Sequence, residues 1–211
     1  MAGNSTNDFP FRGAFEVNPT EDIQRLNEKV CAIATDPVKG SAALEKLGAS
    51  PEVAQRIHTA NVDALATAIH CRVPLLELTD ACQKLVIADP RRWDLSATAS
   101  VDVEIRALTK FTLAVAHDLA WRNVTLAQKF FTISRQTAER LAQLSIAHLE
   151  MLGHHADGLV QLRDRAEQHV WDLLLIGDRC VGQKALEVAR RAVQLSMIRR
   201  QELSDVVTAE E

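Results

Sequence analysis

The chain has 211 residues, of which 47% are hydrophobic and 25% are charged, and its formal net charge at pH 7 is −4. Glycine (8) and proline (6) are scarce, aromatic residues make up 4%, and tyrosine is missing. Such a composition argues against turn-rich β-sandwiches and β-barrels and predicts a compact all-helical protein. The net charge excludes a basic coat over the whole surface, although a local basic face is compatible with it.

Cysteine usage and the N-terminal sequence predict a cytoplasmic protein. Four cysteines are scattered without a CxxC pair, and we expect buried thiols in a reducing compartment: Cys31, Cys71, Cys82 and Cys180. The first residues lack the basic region and apolar stretch of a signal peptide. Because no segment reaches about 18 consecutive apolar residues, we expect no membrane contact.

Helix-start signals in the first half predict a series of short helices. We expect residues 1–19 to form a flexible tail, and the first helix to begin after Thr20, where acidic residues suit the helix dipole. Ser50 and Asn61 are predicted N-caps. Pro74 is expected to open a helix with the sequence LLELTDACQKLVIA, and residues 89–102 are expected to form a linker.

The second half continues the pattern, giving about ten helices in all and no predicted strand. A long helix follows the linker, and Ser134 and Ser145 are predicted caps of two short helices. Leu159 and Leu162 are expected on the apolar stripe of a longer helix, and a last helix follows Gly182.

An internal repeat relates the two halves. Residues 46–78 align with residues 130–162 without gaps at an offset of 84 positions. The predicted cap Ser50 falls on Ser134, and Asn61 falls on Ser145. Agreement of caps together with apolar positions predicts two copies of one short-helix unit, with chance similarity between Ala/Leu-rich helices as the alternative.

The second copy also resembles a helix-turn-helix, in the segment TLAQKFFTISRQTAERL. That motif usually has a small residue at the tight turn, whereas Phe131-Thr132 stands there and the spacing is one residue longer. Two packed structural helices are the alternative. If the motif reads DNA or contacts a partner, Arg135, Gln136 and Arg140 would carry that contact.

Residues 104–152 resemble the FlhD family, the small helical subunit of the bacterial flagellar master activator. The likeness lies in the long opening helix with EI near its start, the Ile133-Ser134 cap and the alanine of xxxAxxL. The first copy resembles the family's LGxSxExA turn in the segment LGASPEVA, but it lacks the long opening helix, and the second copy lacks the glycine.

The resemblance implies an all-helical, dimerising regulator that performs no chemistry and requires no cofactor. It would join a FlhC-like subunit and RNA polymerase, with weak or partner-dependent DNA contact. Two fused units would supply an internal pseudo-dimer, and association into homo-oligomers is expected. The implied division is a first unit at 20–88, a second unit at 103–163 and C-terminal helices at 164–211.

A basic face is predicted on the last helix. Residues 179–200 contain six cations against the single acid Glu187: Arg179, Lys184, Arg190, Arg191, Arg199 and Arg200. Such a face suits phosphate groups or an acidic partner, and an ordinary solvated helix face is the alternative.

Catalytic motifs are missing from the sequence, and we predict that the protein is not an enzyme. There is no glycine-rich phosphate loop, GxSxG elbow or HExxH motif. His148 and His155 could share a helix face near His154, but no third ligand stands at a motif spacing, so no metal is expected. A helical scaffold, such as a chaperone or antiactivator without a nucleic-acid role, remains the alternative function, with a small enzyme third.

Overall fold

A computed structural model describes residues 19–93, 102–154, 158–163, 171–172 and 174–175. The described part is mostly helical, as the composition predicts, but it also contains two short strands. The elements, in chain order, are α1 (Pro19–Ala34), α2 (Gly40–Lys46), α3 (Pro51–His58), α4 (Val62–Ile69), β1 (Leu76–Leu78), α5 (Asp80–Ile87), a 3-10 turn (Pro90–Arg92), α6 (Val103–Arg122), α7 (Val124–Phe131), α8 (Arg135–Gln143), α9 (Ile146–His154) and β2 (Val160–Leu162). The predicted tail, apart from Pro19, lies outside these residues, as do positions 94–101 of the linker and most of the C-terminal helices.

The predicted caps of the short helices are confirmed. In each case the side-chain oxygen accepts the backbone N–H three residues further on, which satisfies a donor that the first helical turn cannot use. The four bonds are Ser50 to Val53 at 3.3 Å, Asn61 to Ala64 at 2.8 Å, Ser134 to Thr137 at 3.0 Å and Ser145 to His148 at 3.3 Å.

The prediction of a helix beginning at Pro74 is wrong, and so is the helical stripe through Leu159 and Leu162. The structure has strand β1 at 76–78, and only then does Thr79 cap α5 by accepting the N–H of Cys82 at 3.2 Å. Leu162 belongs to β2, and Leu159 precedes that strand. A three-residue strand carries too little periodicity to be recognised, and its partner is far away in the sequence.

The repeat extends beyond the aligned segment. Helices α2, α3 and α4 and strand β1 each begin 84 positions before their counterparts α7, α8, α9 and β2. The alternation of buried and exposed positions is the same along α3 and α8, from Pro51 to Thr59 and from Arg135 to Gln143. The two copies therefore share backbone path and core face.

The expectation that the first copy lacks the long opening helix is also wrong, because α1 is that helix. Its buried face matches that of α6 at an offset of 82 positions, as the pairs Ile23/Ile105, Leu26/Leu108, Asn27/Thr109, Val30/Thr112, Cys31/Leu113 and Ala34/Ala116 show. The second copy thus has two more residues between its opening helix and its next helix. An alignment without gaps at an offset of 84 positions sets most buried residues of α1 against exposed or partly exposed residues of α6. The sequence repeat therefore does not reveal that the two helices correspond.

An approximate two-fold axis relates the copies. Strands β1 and β2 pair antiparallel, so that Glu77 faces its own counterpart Gln161. Helices α1 and α6 also pack antiparallel, and the Lys29 Nζ lies 5.2 Å from the ring centre of its counterpart Phe111. A two-fold axis brings equivalent residues together beside it, and the pairs Glu77/Gln161 and Lys29/Phe111 show this.

The copies interlock just after each strand. The Thr79 amide donates to the Leu159 carbonyl at 3.1 Å, and the Arg163 amide donates to the Leu75 carbonyl at 2.8 Å. These two bonds are equivalent under the repeat, and the side chains form a second equivalent pair. The Thr79 hydroxyl donates to the Gly158 carbonyl at 2.5 Å, and Arg163 Nε donates to the Pro74 carbonyl at 3.1 Å. One hydrophobic core consequently runs through both copies.

Candidate interaction surface

Each copy presents a pair of short helices joined by a tight turn, α2–α3 in the first copy and α7–α8 in the second. The turn residue is left-handed in both, with φ of 84° at Gly48 and 54° at its counterpart Thr132. Glycine adopts this conformation readily, whereas a β-branched residue does so at a cost. The second copy therefore keeps the turn geometry without the glycine.

Helix α8 displays the three residues predicted to contact DNA or a partner. Arg135 is 78% exposed and its Nε donates to the Glu139 carboxylate at 2.8 Å. This hydrogen bond, together with the charge of Glu139, raises the pKa of the guanidinium above its usual value. Gln136 is exposed and Arg140 is half-buried. The exposed face of α8 thus carries mixed charge rather than a run of cations.

The start of α8 is covered by α5, which belongs to the other copy. Gln83 Oε1 accepts the Ser134 amide at 3.0 Å and the Thr137 hydroxyl at 3.3 Å. Its amide nitrogen also donates to the Thr132 carbonyl at 3.4 Å. A recognition helix normally approaches base edges with its N-terminal residues, and here part of that end is occupied.

Arginine recurs at one position of the two copies but in different electrostatic settings. Arg56 on α3 forms an ion pair with Asp172 at 3.1 Å. Its counterpart Arg140 on α8 has neither an ion-pair nor a hydrogen-bond partner among the described residues. Within the part of the chain that the structure describes, the two equivalent arginines therefore differ in their ion pairing.

A polar cleft of about 280 Å³ lies beside the approximate two-fold axis, between the strand pair, the start of α5 and the α7–α8 turn. Glu77 Oε1 accepts the Gln161 side-chain amide at 2.6 Å, and Oε2 accepts the Thr132 hydroxyl at 3.1 Å. Both carboxylate oxygens are engaged in joining the copies, so Glu77 acts as a structural link.

Two exposed apolar side chains near the end of α8 were not identified from the sequence. Trp121 in the last turn of α6 is 66% exposed, and Ile146 at the start of α9 is 45% exposed. Trp121 stands outside the buried stripe of α6, and that phase difference is the signal that could have singled it out. His117, one turn earlier, donates from Nε2 to the Leu144 carbonyl at 3.1 Å, which fixes the end of α8 beside α6.

The two described histidines of α9 have different surroundings. His154 is exposed, and His148 packs edge-on against Trp93 with ring centres 5.8 Å apart. His155 lies outside the described residues. Within the described ranges, no three His, Cys, Asp or Glu side chains approach one another as metal ligands would.

The six cations predicted to form a basic face all lie outside the residues that the structure describes: Arg179, Lys184, Arg190, Arg191, Arg199 and Arg200. That face remains a prediction from the sequence. Of the helices that are described, none has the length and apolarity required to cross a bilayer.

Comparison of the chain with protein-family models, with curated proteins and with solved structures gives no significant match. The site must therefore be interpreted from its own residues and geometry.

Proposed function

We propose that this chain is an FlhD-like subunit of a bacterial transcriptional regulator that acts through protein partners in the cytoplasm. An FlhC-like subunit and RNA polymerase are the proposed partners, and DNA is contacted weakly or together with them. The protein performs no chemistry in this role. It holds its partners at fixed positions relative to one another.

The observation that carries the proposal is the approximate two-fold relation between the copies. A subunit that dimerises and is then duplicated within one gene would give two interlocked copies in one core, as the β1–β2 pairing and the α1–α6 packing do here. Two related helix pairs on one shared hydrophobic core suit a subunit that bridges partners. Further association between chains is part of the proposal, and light scattering after size exclusion measures it.

The test combines partner capture with DNA binding. The full chain is incubated with a purified FlhC-like subunit and RNA polymerase, and binding to a mixed-sequence duplex is followed by fluorescence anisotropy over a salt series. One variant replaces Arg190, Arg191, Arg199 and Arg200 with alanine. A matched control removes the same charge from four exposed cations elsewhere: Arg25, Lys39, Arg72 and Lys84.

The expected result is partner-dependent DNA binding that the first variant loses and the control keeps. Each phosphate contact removed should lower the slope of log K against log salt by about 0.9. Failure to bind either partner, combined with no DNA binding in any mixture, would refute the proposal.

A helical scaffold without a nucleic-acid role is the second candidate. The Arg135–Glu139 ion pair and the cover that Gln83 places over the start of α8 favour it, because both weaken attraction to a polyanion. Partner binding with no DNA contact at any salt concentration would be the result expected of such a scaffold.

A further inference from the structure

We propose that Lys29 and Glu77 make the pairing face of the first copy selective, so that it accepts a second copy and excludes another first copy. The pairing face is the surface of α1 and β1 that contacts α6 and β2. This inference depends on the repeat and on the contacts between the copies, and it is independent of the proposed function. It adds which combinations of copies can associate, within one chain or between two chains.

Residues beside the approximate two-fold axis decide this selectivity. In a pair of identical copies, a residue at such a place faces a second copy of itself. Here Glu77 on β1 faces Gln161 on β2, and Lys29 on α1 faces Phe111 on α6. At both places the first copy supplies a charged residue and the second copy supplies a neutral one.

At the strands, two neutral donors of the second copy hold the Glu77 carboxylate. The Gln161 side-chain amide donates to Oε1 at 2.6 Å, and the Thr132 hydroxyl donates to Oε2 at 3.1 Å. In a pair of first copies, another Glu77 would replace Gln161. Gly48, which has no side chain, would replace Thr132. Two half-buried carboxylates would then face each other without either donor, and both the repulsion and the lost hydrogen bonds oppose that pairing.

At the helices, the charge is an ammonium group. Lys29 Nζ lies 5.2 Å from the centre of the Phe111 ring, where the negative face of the ring attracts a cation. In a pair of first copies, two lysines would meet there and repel each other. Because Lys29 is exposed, water and salt weaken that repulsion, and we expect Glu77 to contribute more of the selectivity.

A pair of second copies would bring no like charges together at these two places. Gln161 would face Gln161, and amides can donate to and accept from each other, while facing Phe111 rings can stack. Arg163 would also keep an acceptor, because the Pro74 carbonyl that its Nε uses is equivalent to the Gly158 carbonyl. The selectivity is therefore one-sided, and it comes from the first copy.

Single substitutions in the full chain can give the axis the composition of either identical pair. Gln161→Glu and Phe111→Lys imitate a pair of first copies, whereas Glu77→Gln and Lys29→Phe imitate a pair of second copies. Gln55→Glu adds a carboxylate at an exposed position of α3 and serves as the matched control. Phe111→Met removes the ring without adding charge. Thermal unfolding followed by circular dichroism compares the variants at neutral pH and low salt.

Substitutions toward a pair of first copies should be the harmful ones. We expect Gln161→Glu to lower Tm by about 4 °C or more, Gln55→Glu to change it by less than about 2 °C, and Glu77→Gln to cost less than half as much as Gln161→Glu. Phe111→Lys should lower Tm more than Phe111→Met does, whereas Lys29→Phe should be tolerated. Salt at about 0.5 M should reduce the difference between Phe111→Lys and Phe111→Met, because it screens the two lysines.

The double variant Glu77→Gln/Gln161→Glu tests whether the two carboxylates act on each other. It again places one carboxylate opposite one amide, and it should recover at least about half of the Tm lost in Gln161→Glu. Acidification to about pH 4 should also reduce that loss relative to the unsubstituted chain, because facing carboxylates can then share a proton. Asp80, the other acid that lines the cleft, is common to both chains.

Hydrogen exchange followed by mass spectrometry locates the effect at the pairing face. The amides of Thr79 and Arg163 donate to carbonyls of the other copy at 3.1 and 2.8 Å. In Gln161→Glu they should exchange about tenfold faster than in the unsubstituted chain, because the copies separate more often.

Three results would overturn the inference and leave the proposed function untouched. The first is an equal effect of Gln161→Glu and Gln55→Glu on Tm. The second is a double variant as unstable as Gln161→Glu alone, since the new carboxylate would then be harmful for a reason other than Glu77. The third is a loss in Glu77→Gln as large as that in Gln161→Glu, which would mean that pairing requires the charge.

Discussion

Asn27 joins the opening helix of the first copy to the segment that leads into β1. It is fully buried on α1, and its Nδ2 donates to the carbonyls of Cys71 and Val73, both at 3.1 Å. Its Oδ1 accepts the Leu75 amide at 2.9 Å. One side chain thus satisfies three backbone groups of a segment that belongs to neither helix nor strand.

Replacing Asn27 with alanine should destabilise the protein severely. Three well-formed bonds are lost, and the backbone groups they satisfied remain buried. A net hydrogen bond contributes about 1 kcal/mol, and a buried group left without a partner costs about 1–3 kcal/mol. Because the groups can relax together, we expect a loss of about 3–5 kcal/mol in the free energy of unfolding.

Urea unfolding of the full chain, followed by circular dichroism, measures this loss from the midpoint at constant slope. A loss smaller than about 1 kcal/mol would refute the reasoning, because it would mean that the 71–75 segment finds other partners for its backbone.

The counterpart of Asn27 in the second copy provides a matched control. Thr109 is equally buried, but its hydroxyl has no hydrogen-bond partner among the described residues. Thr109→Val removes that hydroxyl at nearly constant volume and should leave stability unchanged or raise it by up to about 1 kcal/mol. A loss comparable to that of Asn27→Ala would indicate that the Thr109 hydroxyl also forms a stabilising hydrogen bond, and the contrast between the two positions would be wrong.

Three further predictions concern strain, pH and thiol reactivity. Thr132→Gly should change the free energy of unfolding by less than about 1 kcal/mol, because relief of left-handed strain is offset by the added chain entropy and by loss of the hydrogen bond to Glu77, whereas Gly48→Ala should lower it by about 1–2 kcal/mol; thermal melts of both variants decide this. Burial, and then the nearby charge of Asp118, raises the pKa of Asp22 above its usual 3.8. The folded state therefore holds that proton more tightly, and stability falls as pH rises from 3.8 through the raised value. Asp22→Asn should raise Tm at neutral pH, and a gain that persists at the acid end of a pH series would contradict this. Burial raises the pKa of the Cys82 thiol to about 12, so native protein at mildly alkaline pH should resist iodoacetamide at this position, and peptide mapping that finds rapid alkylation would exclude its burial.

Local chemistry explains which features could be predicted from the sequence. A serine or asparagine before an amphipathic run specifies a helix start through a bond spanning three residues, and Ser50, Asn61, Ser134 and Ser145 all form it. The helical class follows from the same local signals. The candidate contact residues Arg135, Gln136 and Arg140 also follow from a local feature, the resemblance of their segment to a helix-turn-helix.

Features that depend on distant contacts could not be predicted in this way. The Leu76–Leu78 strand forms because Val160–Leu162 lies beside it, and neither segment carries a strand signal of its own. The opening helix of the first copy was missed as a counterpart of α6 because two extra residues shift its phase. The exposure of Trp121 likewise depends on which neighbours its helix acquires.

The sequence by itself determined the helical class, the cap positions and the existence of a repeat, because each depends on residues close together or on matching spacing. How the copies are joined follows only from the tertiary structure: the two-fold packing, the hydrogen bonds of Thr79 and Arg163 between the copies, and the ion pair of Arg56 with Asp172. These features depend on which surfaces meet in three dimensions. Side chains that are equivalent in the repeat acquire different neighbours, and hence different charge and exposure, only when the chain closes on itself.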